Sequence, residues 1–289
     1  MPKLLPPALA RLLAASAVAN AAAAGLTLLV PDVLTGPAVM NGSARGTSLV
    51  MLVAGVPLVA TGAWLAARGW WRGLVVALGG LAYFAYNDVM LLFATPFNRL
   101  FLVYVIAGST TLFAIVAAFR TVDPRVVADR VPRLPARAIG AYAMTIVALN
   151  TLIWLRTVVP ATFAERPGSF LDGAGIATNP VFVQDLVFWL PGAAAMAVML
   201  WRRQPLGILL GGTWLVYGLL ESVGVATDQW FGTTADPTSS QASMEAVALF
   251  VVLAVVGLVP LWFFFRPDRL AATQRDGRAG AERSGALAG

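Results

Sequence analysis

Eight apolar runs, most of them near 20 residues long, divide this chain, and that pattern restricts its fold more than any motif within it. In hydrocarbon each backbone N–H and C=O must find a partner inside the protein, so spanning segments are helices or strands of a closed barrel. Barrel strands are about 10 residues of alternating polarity. These runs are twice that length and continuously apolar, which is the signature of transmembrane helices. The sequence therefore predicts an all-α integral membrane bundle of about eight transmembrane helices, over 8–32, 47–67, 73–94, 99–119, 138–161, 179–200, 205–226 and 244–266. The composition agrees: 12% of residues are charged, against about 25% in a soluble domain. The first run contains "AVANA", a pattern of small residues seen at signal cleavage sites, but it continues through "AAAAGLTLLV". It outlasts a signal segment and reads as a retained helix.

The chain contains no cysteine and no histidine, and its single lysine is Lys3. Disulfides, zinc–thiolate sites, histidine-ligated haem, serine–histidine catalysis and a retinal Schiff base within the membrane are excluded. No metal and no cofactor is expected. Any site must be assembled from carboxylates, arginine, amides, hydroxyls and aromatic rings. The Gly-rich spans carry no lysine to complete a phosphate loop, and no HExxH is present. "DGAGIATNP" reads as a turn, and Asn41-Gly-Ser matches a glycosylation sequon by chance. No catalytic residue is assigned, and the reading leans away from an enzyme.

The net charge of +6 does not imply nucleic acid, because the arginines sit in short connections rather than on a compact basic domain. Sixteen of the 20 basic residues fall at the N-terminus, in the 68–72, 120–137 and 201–204 connections and in the tail. The four on the other side are Arg45, Arg99, Arg156 and Arg166. This bias predicts both termini in the cytoplasm. Nineteen arginines to one lysine, with abundant Ala and Gly, fit a high-GC bacterial genome, and hence a multi-pass protein of a bacterial plasma membrane. The polar, Gly/Ala-rich segment 267–289 is expected to be a disordered cytoplasmic tail.

Shifted by 134 residues, the sequence aligns "VPLVATGAWLAARGWWRGLVVALGGLAYF" with "LPGAAAMAVMLWRRQPLGILLGGTWLVYG". Pro57 meets Pro191, Arg68 meets Arg202, Gly73 meets Gly207 and Tyr83 meets Tyr217. This predicts two four-helix halves, 1–120 and 138–266, joined by a basic cytoplasmic loop over 121–137; chance likeness of two apolar hairpins is the competing explanation. Parallel repeats of this kind recur in transporters, with the site at their interface. Pro57 and Pro191 each remove a backbone hydrogen bond and predict matching kinks.

Four ionisable residues fall within apolar spans at a common depth. Asp88 and Asp185 lie roughly 9 Å from the outer ends of their spans, Arg156 and Glu221 roughly 8 Å. Asn87 and Gln184 adjoin two of them. Ionised groups in hydrocarbon cost about 2.5–3.5 kcal/mol at the centre, so the four are expected to face one another, with Arg156 bridging a carboxylate. Tyr83 shares a helix face with Asn87, Tyr217 with Glu221, and Trp189 with Asp185, each pair being four residues apart. Acids beside rings suit a small cationic solute or a proton, although aromatic belts at the bilayer interface give the same pattern.

The stretches "TNPVFVQDLVFWLPGAAAMAVMLWRRQPLG" and "YNDVMLLFATPFNRLFLVYV" resemble a group of bacterial multi-spanning proteins with an Asn-Pro-Val…Asp-Leu…Leu-Pro pattern. Asn179, Pro180, Val181, Asp185, Leu186, Leu190 and Pro191 carry that pattern here. Many of that group place a histidine where this chain has Phe182, and the resemblance implies no activity. Three functions are compatible with the residues: a small-solute or proton-linked transporter with an acidic outward-facing site; an accessory protein whose intramembrane charges only pair helices; and an outer-leaflet lipid-modifying enzyme. Besides the lipid bilayer, the partner expected is a small cation or proton, and no nucleic acid.

Overall fold

The computed structural model describes residues 4–266, so the expectations for Lys3 and for the 267–289 tail lie outside the described residues. Eight helices are long and apolar enough to span a membrane: α1 (Pro7–Leu29), α2 (Ala38–Ala67), α3 (Trp71–Phe93), α4 (Phe101–Thr121), α5 (Ala136–Thr162), α6 (Pro180–Trp201), α7 (Pro205–Ala235) and α8 (Met244–Phe265). Six of the predicted spans match a helix to within a few residues at each end. The exceptions are α2, which starts nine residues before the predicted 47, and α7, which runs nine residues past the predicted 226.

Both extensions have the same cause. "AVMNGSARG" and "ATDQWFGTTA" are too polar to read as membrane helix, yet they pack on each other. A Cβ at Gly46 would lie 2.6 Å from the Thr227 carbonyl oxygen, and one at Gly42 the same distance from that of Phe231. Small residues four apart let two helix backbones touch, and here they join α2 to α7. At 30 and 31 residues these helices are about 45 Å long, beyond the about 30 Å of bilayer hydrocarbon. Their surplus lies at the arginine-poor end. Arg45, expected in a loop, is therefore part of α2.

The first four helices close on themselves: α1 packs on α2 and α4, and α3 does the same from the other side. The second four do not close. α7 is the hub, touching α2, α3, α6 and α8, while α5 rests mainly on α6. α8 packs on α7 with only Pro260 and Phe264 buried, and Trp71 stacks on Phe265 at 6.0 Å. Trp71 is thus a packing residue, whereas Trp70 and Trp201 are exposed.

Two helices break their own period. Met51–Gly55 in α2 and Asp185–Trp189 in α6 are π-helical turns, and they stand 134 residues apart. Each lies just before a proline, Pro57 or Pro191. A proline has no N–H for the carbonyl four residues back, and its ring collides with that carbonyl; a widened turn relieves both problems. The N–H of Val56 instead reaches Met51 O, and that of Leu190 reaches Asp185 O. At the α3–α7 crossing, residues 134 apart also meet: a Cβ on Gly79 would lie 3.0 Å from Thr213 O, and Asn87 bonds Glu221.

Candidate functional site

The acids lie at one level, as expected. Asp88, Asp185 and Glu221 are each 16 or 17 residues from the arginine-rich ends of α3, α6 and α7, about 24–26 Å along helices that cross about 30 Å. Sideways, the expected single cluster separates into two groups, and Arg156 belongs to neither.

The first group is held by α3, α6 and α7. Asp185 opens the π-turn of α6, and its Oδ2 accepts a 2.7 Å hydrogen bond from Trp154 Nε1 on α5. The phenol of Tyr86 faces the same carboxyl. Gln184 is buried; its amide nitrogen reaches the Tyr86 carbonyl at 3.5 Å, and its oxygen accepts from Trp189 Nε1 at 3.2 Å. Trp189 was expected to share a face with Asp185, four residues back. The π-turn spaces partners five apart, which carries the indole to Gln184 instead. The rings of Tyr86, Trp189 and Tyr217 form a wall: Trp189 stacks on Tyr217 at 4.9 Å and 11°, and Tyr86 stands 5.7 and 6.1 Å from the two.

Glu221 faces this group from α7. Its Oε2 accepts from Asn87 Nδ2 at 3.2 Å, and the same amide also donates to Tyr83 O at 3.0 Å. The carboxyls of Asp185 and Asp228 lie within electrostatic range of it. Tyr83 is fully buried with its hydroxyl unpaired, pressed against α7 where a Cβ on Gly224 would come within 2.7 Å of that oxygen.

Asp88 belongs to the second group. Successive residues on a helix point about 100° apart, so where Asn87 meets α7, Asp88 turns toward α1 and α4. Its polar neighbours there are Asn20 and Thr111. They are also joined to each other and to Ser16: Thr111 Oγ1 lies 2.9 Å from Ser16 Oγ, and Asn20 Nδ2 donates to Ser16 O at 3.0 Å and to Thr111 Oγ1 at 3.1 Å. Asp88 is 3% exposed, and neither of its carboxyl oxygens has a hydrogen-bond partner; Asn20 Oδ1 has none either. Asp88 and Thr111 line one wall of a cavity of about 900 Å³ bounded by α3, α4, α6 and α7, and Trp189 and Tyr217 line another.

Arg156 does not bridge a carboxylate. It is exposed on α5, two residues past Trp154 and so roughly 200° around the helix from the side that meets Asp185. Its side chain projects away from the bundle at the arginine-poor end, where a long cationic side chain reaches the interface. Among the described residues no basic side chain pairs with Asp88, Asp185 or Glu221; the Arg166–Asp172 pair, at 3.2 Å, lies in an exposed loop. Among the described residues no group of three potential ligands stands close enough to hold a metal ion.

Sequence reasoning passed over Tyr86, Trp154, Asp228, Asn20 and Thr111. Asp228 was placed in a loop because α7 was ended too early. Tyr86 had a signal, standing next to Asn87 and Asp88. Trp154, Asn20 and Thr111 lie on helices whose contacting face the sequence does not mark.

No protein-family model matches this chain, and neither a curated protein nor a solved structure matches it. The Asn-Pro-Val…Asp-Leu…Leu-Pro resemblance thus rests on its residues alone.

Proposed function

We propose that this protein is a proton-linked transporter of a small organic cation, with its solute site between α3, α6 and α7. The observation that carries the reading is the pair Asp185 and Glu221, set among apolar helices beside three aromatic rings and, among the described residues, with no basic side chain to neutralise them. Such acids hold protons or a bound cation, since isolated charges in hydrocarbon are expensive. An organic cation gains from the carboxylates and from the faces of Tyr86, Trp189 and Tyr217. Exchange of that cation for protons keeps the site near neutrality at each step.

Movement is supplied by the paired π-turns. Helix irregularities at matched places let the halves 1–120 and 138–266 rock about the α3–α7 crossing, in the manner of transporters with parallel repeats. The arginine bias supports an orientation with both termini in the cytoplasm and the site near the outer face, and the arginine-rich, lysine-poor composition supports a bacterial plasma membrane. A second reading, helix fastening, is favoured by the Trp154–Asp185 bond, which ties the loosely packed α5 to α6.

The test is flux in proteoliposomes carrying a pH-sensitive dye, with organic cations from tetramethylammonium to aromatic amines added outside. Cation-dependent proton movement is expected for the unaltered protein and is lost in Glu221→Gln and Asp185→Asn while both remain folded. Unchanged flux in both variants, or no flux above that of empty vesicles, overturns the proposal. Single cysteines at 185 and 221, in a chain free of cysteine, give an independent check. Alternating access requires that an impermeant thiol reagent label them from either side, with protection by the solute.

A further inference from the structure

The cavity beside Asp88 adjoins the solute site, with Trp189 and Tyr217 on its wall, but is mostly apolar. It holds about 900 Å³, near the upper end of the about 300–1,000 Å³ range of ligand pockets. Its wall on α4 runs from Val105 to Val122, about 26 Å along the helix. Apart from Asp88 and a few hydroxyls the lining is aliphatic and aromatic. Its open side is the gap between α4, which packs on α1 and α3, and α6, which packs on α5 and α7. Leu112 and Phe119 on one lip and Phe188 on the other are exposed, so the mouth faces the lipid.

A greasy groove open to lipid would be filled by any acyl chain. The polar atoms narrow the choice. Asp88 Oδ1, Asp88 Oδ2 and Asn20 Oδ1 are buried acceptors without a donor, and an unsatisfied buried polar group is costly wherever a partner could be supplied. Asp88 is the acid on this lining, so a groove that is otherwise apolar suits a ligand that brings a cationic N–H group. No basic side chain lines the cavity, which disfavours a phosphate or carboxylate headgroup beside Asp88.

We infer that this groove binds a single-chain amphiphile bearing a protonated primary amine. Its ammonium sits on Asp88 and its tail runs along α4 toward Val122. The ligand enters sideways from the bilayer between α4 and α6. The groove shares Trp189 and Tyr217 with the solute site but uses neither Asp185 nor Glu221.

The test uses hexadecylamine carrying a photoactivatable diazirine on its chain, with the full-length protein in phosphatidylcholine nanodiscs. Crosslinks on α3, α4 and α6 are expected, displaced by unlabelled hexadecylamine at least tenfold more effectively than by hexadecanol or palmitate. Asp88→Asn keeps the shape, removes the charge and should weaken capture at least tenfold. Gly192 lines the groove, and a Cβ there would meet nothing within 4 Å. Gly192→Leu should therefore occupy the groove without disturbing the backbone, reducing capture of the sixteen-carbon amine while sparing a butylamine probe. Equal displacement by all three amphiphiles, or crosslinks spread over the exposed faces of α5 and α8, means ordinary lipid contact and overturns the inference. So does capture that survives both substitutions. If Asp88→Asn fails to fold, the amine selectivity of the unaltered protein and the Gly192→Leu result decide between these outcomes.

Discussion

Replacing Asp88 by leucine should make this protein more stable. A buried carboxyl without partners costs about 1–3 kcal/mol, and more if ionised. An aspartate at the middle of a membrane helix costs about 2.5–3.5 kcal/mol, falling toward either face. Asp88 lies nearer one face, so about 1–3 kcal/mol is recoverable. The larger leucine side chain extends into the adjoining cavity of about 900 Å³, and the overpacking penalty of about 1–3 kcal/mol for a tight core does not apply. The net gain corresponds to roughly a 5- to 150-fold shift toward the folded state, at a factor of ten per 1.4 kcal/mol. Reversible unfolding in mixed micelles with rising dodecyl sulfate, followed by tryptophan fluorescence, measures it. Asp88→Asn should change the midpoint less, because an amide in the same place also lacks partners. A leucine variant less stable than the original by 1 kcal/mol or more would refute the reasoning, since it would mean that Asp88 holds helices together. A stabilised variant has the profile of a functional residue, kept at the expense of stability.

Trp154→Phe keeps a ring against Phe182, now 4.8 Å away, but removes the donor to Asp185; a loss of about 1–3 kcal/mol is expected in the same unfolding assay. Gly46→Val drives a side chain into the Thr227 carbonyl, where even a Cβ would sit at 2.6 Å, and should shift the purified protein to aggregates in size-exclusion chromatography. In the exposed loop after α7, hydrogen bonds from the Thr238 hydroxyl and backbone N–H hold the Asp236 carboxyl below its usual pKa. A depressed pKa stabilises the loop above the ordinary aspartate range and loses that contribution as pH falls through the lowered value. Protection of the Thr238 amide from hydrogen exchange should therefore decline only in strong acid, and Asp236→Asn should abolish that decline.

The spans and the depth of the acids were legible because both depend on one-dimensional distances along an apolar helix. Who faces whom was not. Asn87 and Asp88 are neighbours in sequence, yet they serve different faces of α3, and only the positions of α4 and α7 decide which face is which. Arg156 was misjudged for the same reason: its depth is right, but α5 turns it outward. The Trp189 partner was lost to a local break in period, since face-sharing at a spacing of four assumes an uninterrupted α-helix. The ends of α2 and α7 were hidden because their polar residues are stabilised by each other rather than by lipid, a pairing that hydropathy cannot register.

The glycine crossing of α2 and α7 also sets a timetable for synthesis. The two segments that meet there, around Gly46 and Asp228, are separated by 182 residues. At about 5–20 residues per second, α2 emerges roughly 10–40 s before the helix that covers it. For that interval its bare glycine face must rest against lipid or against whatever membrane-insertion machinery is at hand. The closed packing of α1 to α4 gives the early half a structure of its own during the wait, while the open second half is assembled around α7 as it arrives. Premature pairing of that face with another nascent chain is the characteristic error to which this order of assembly is exposed.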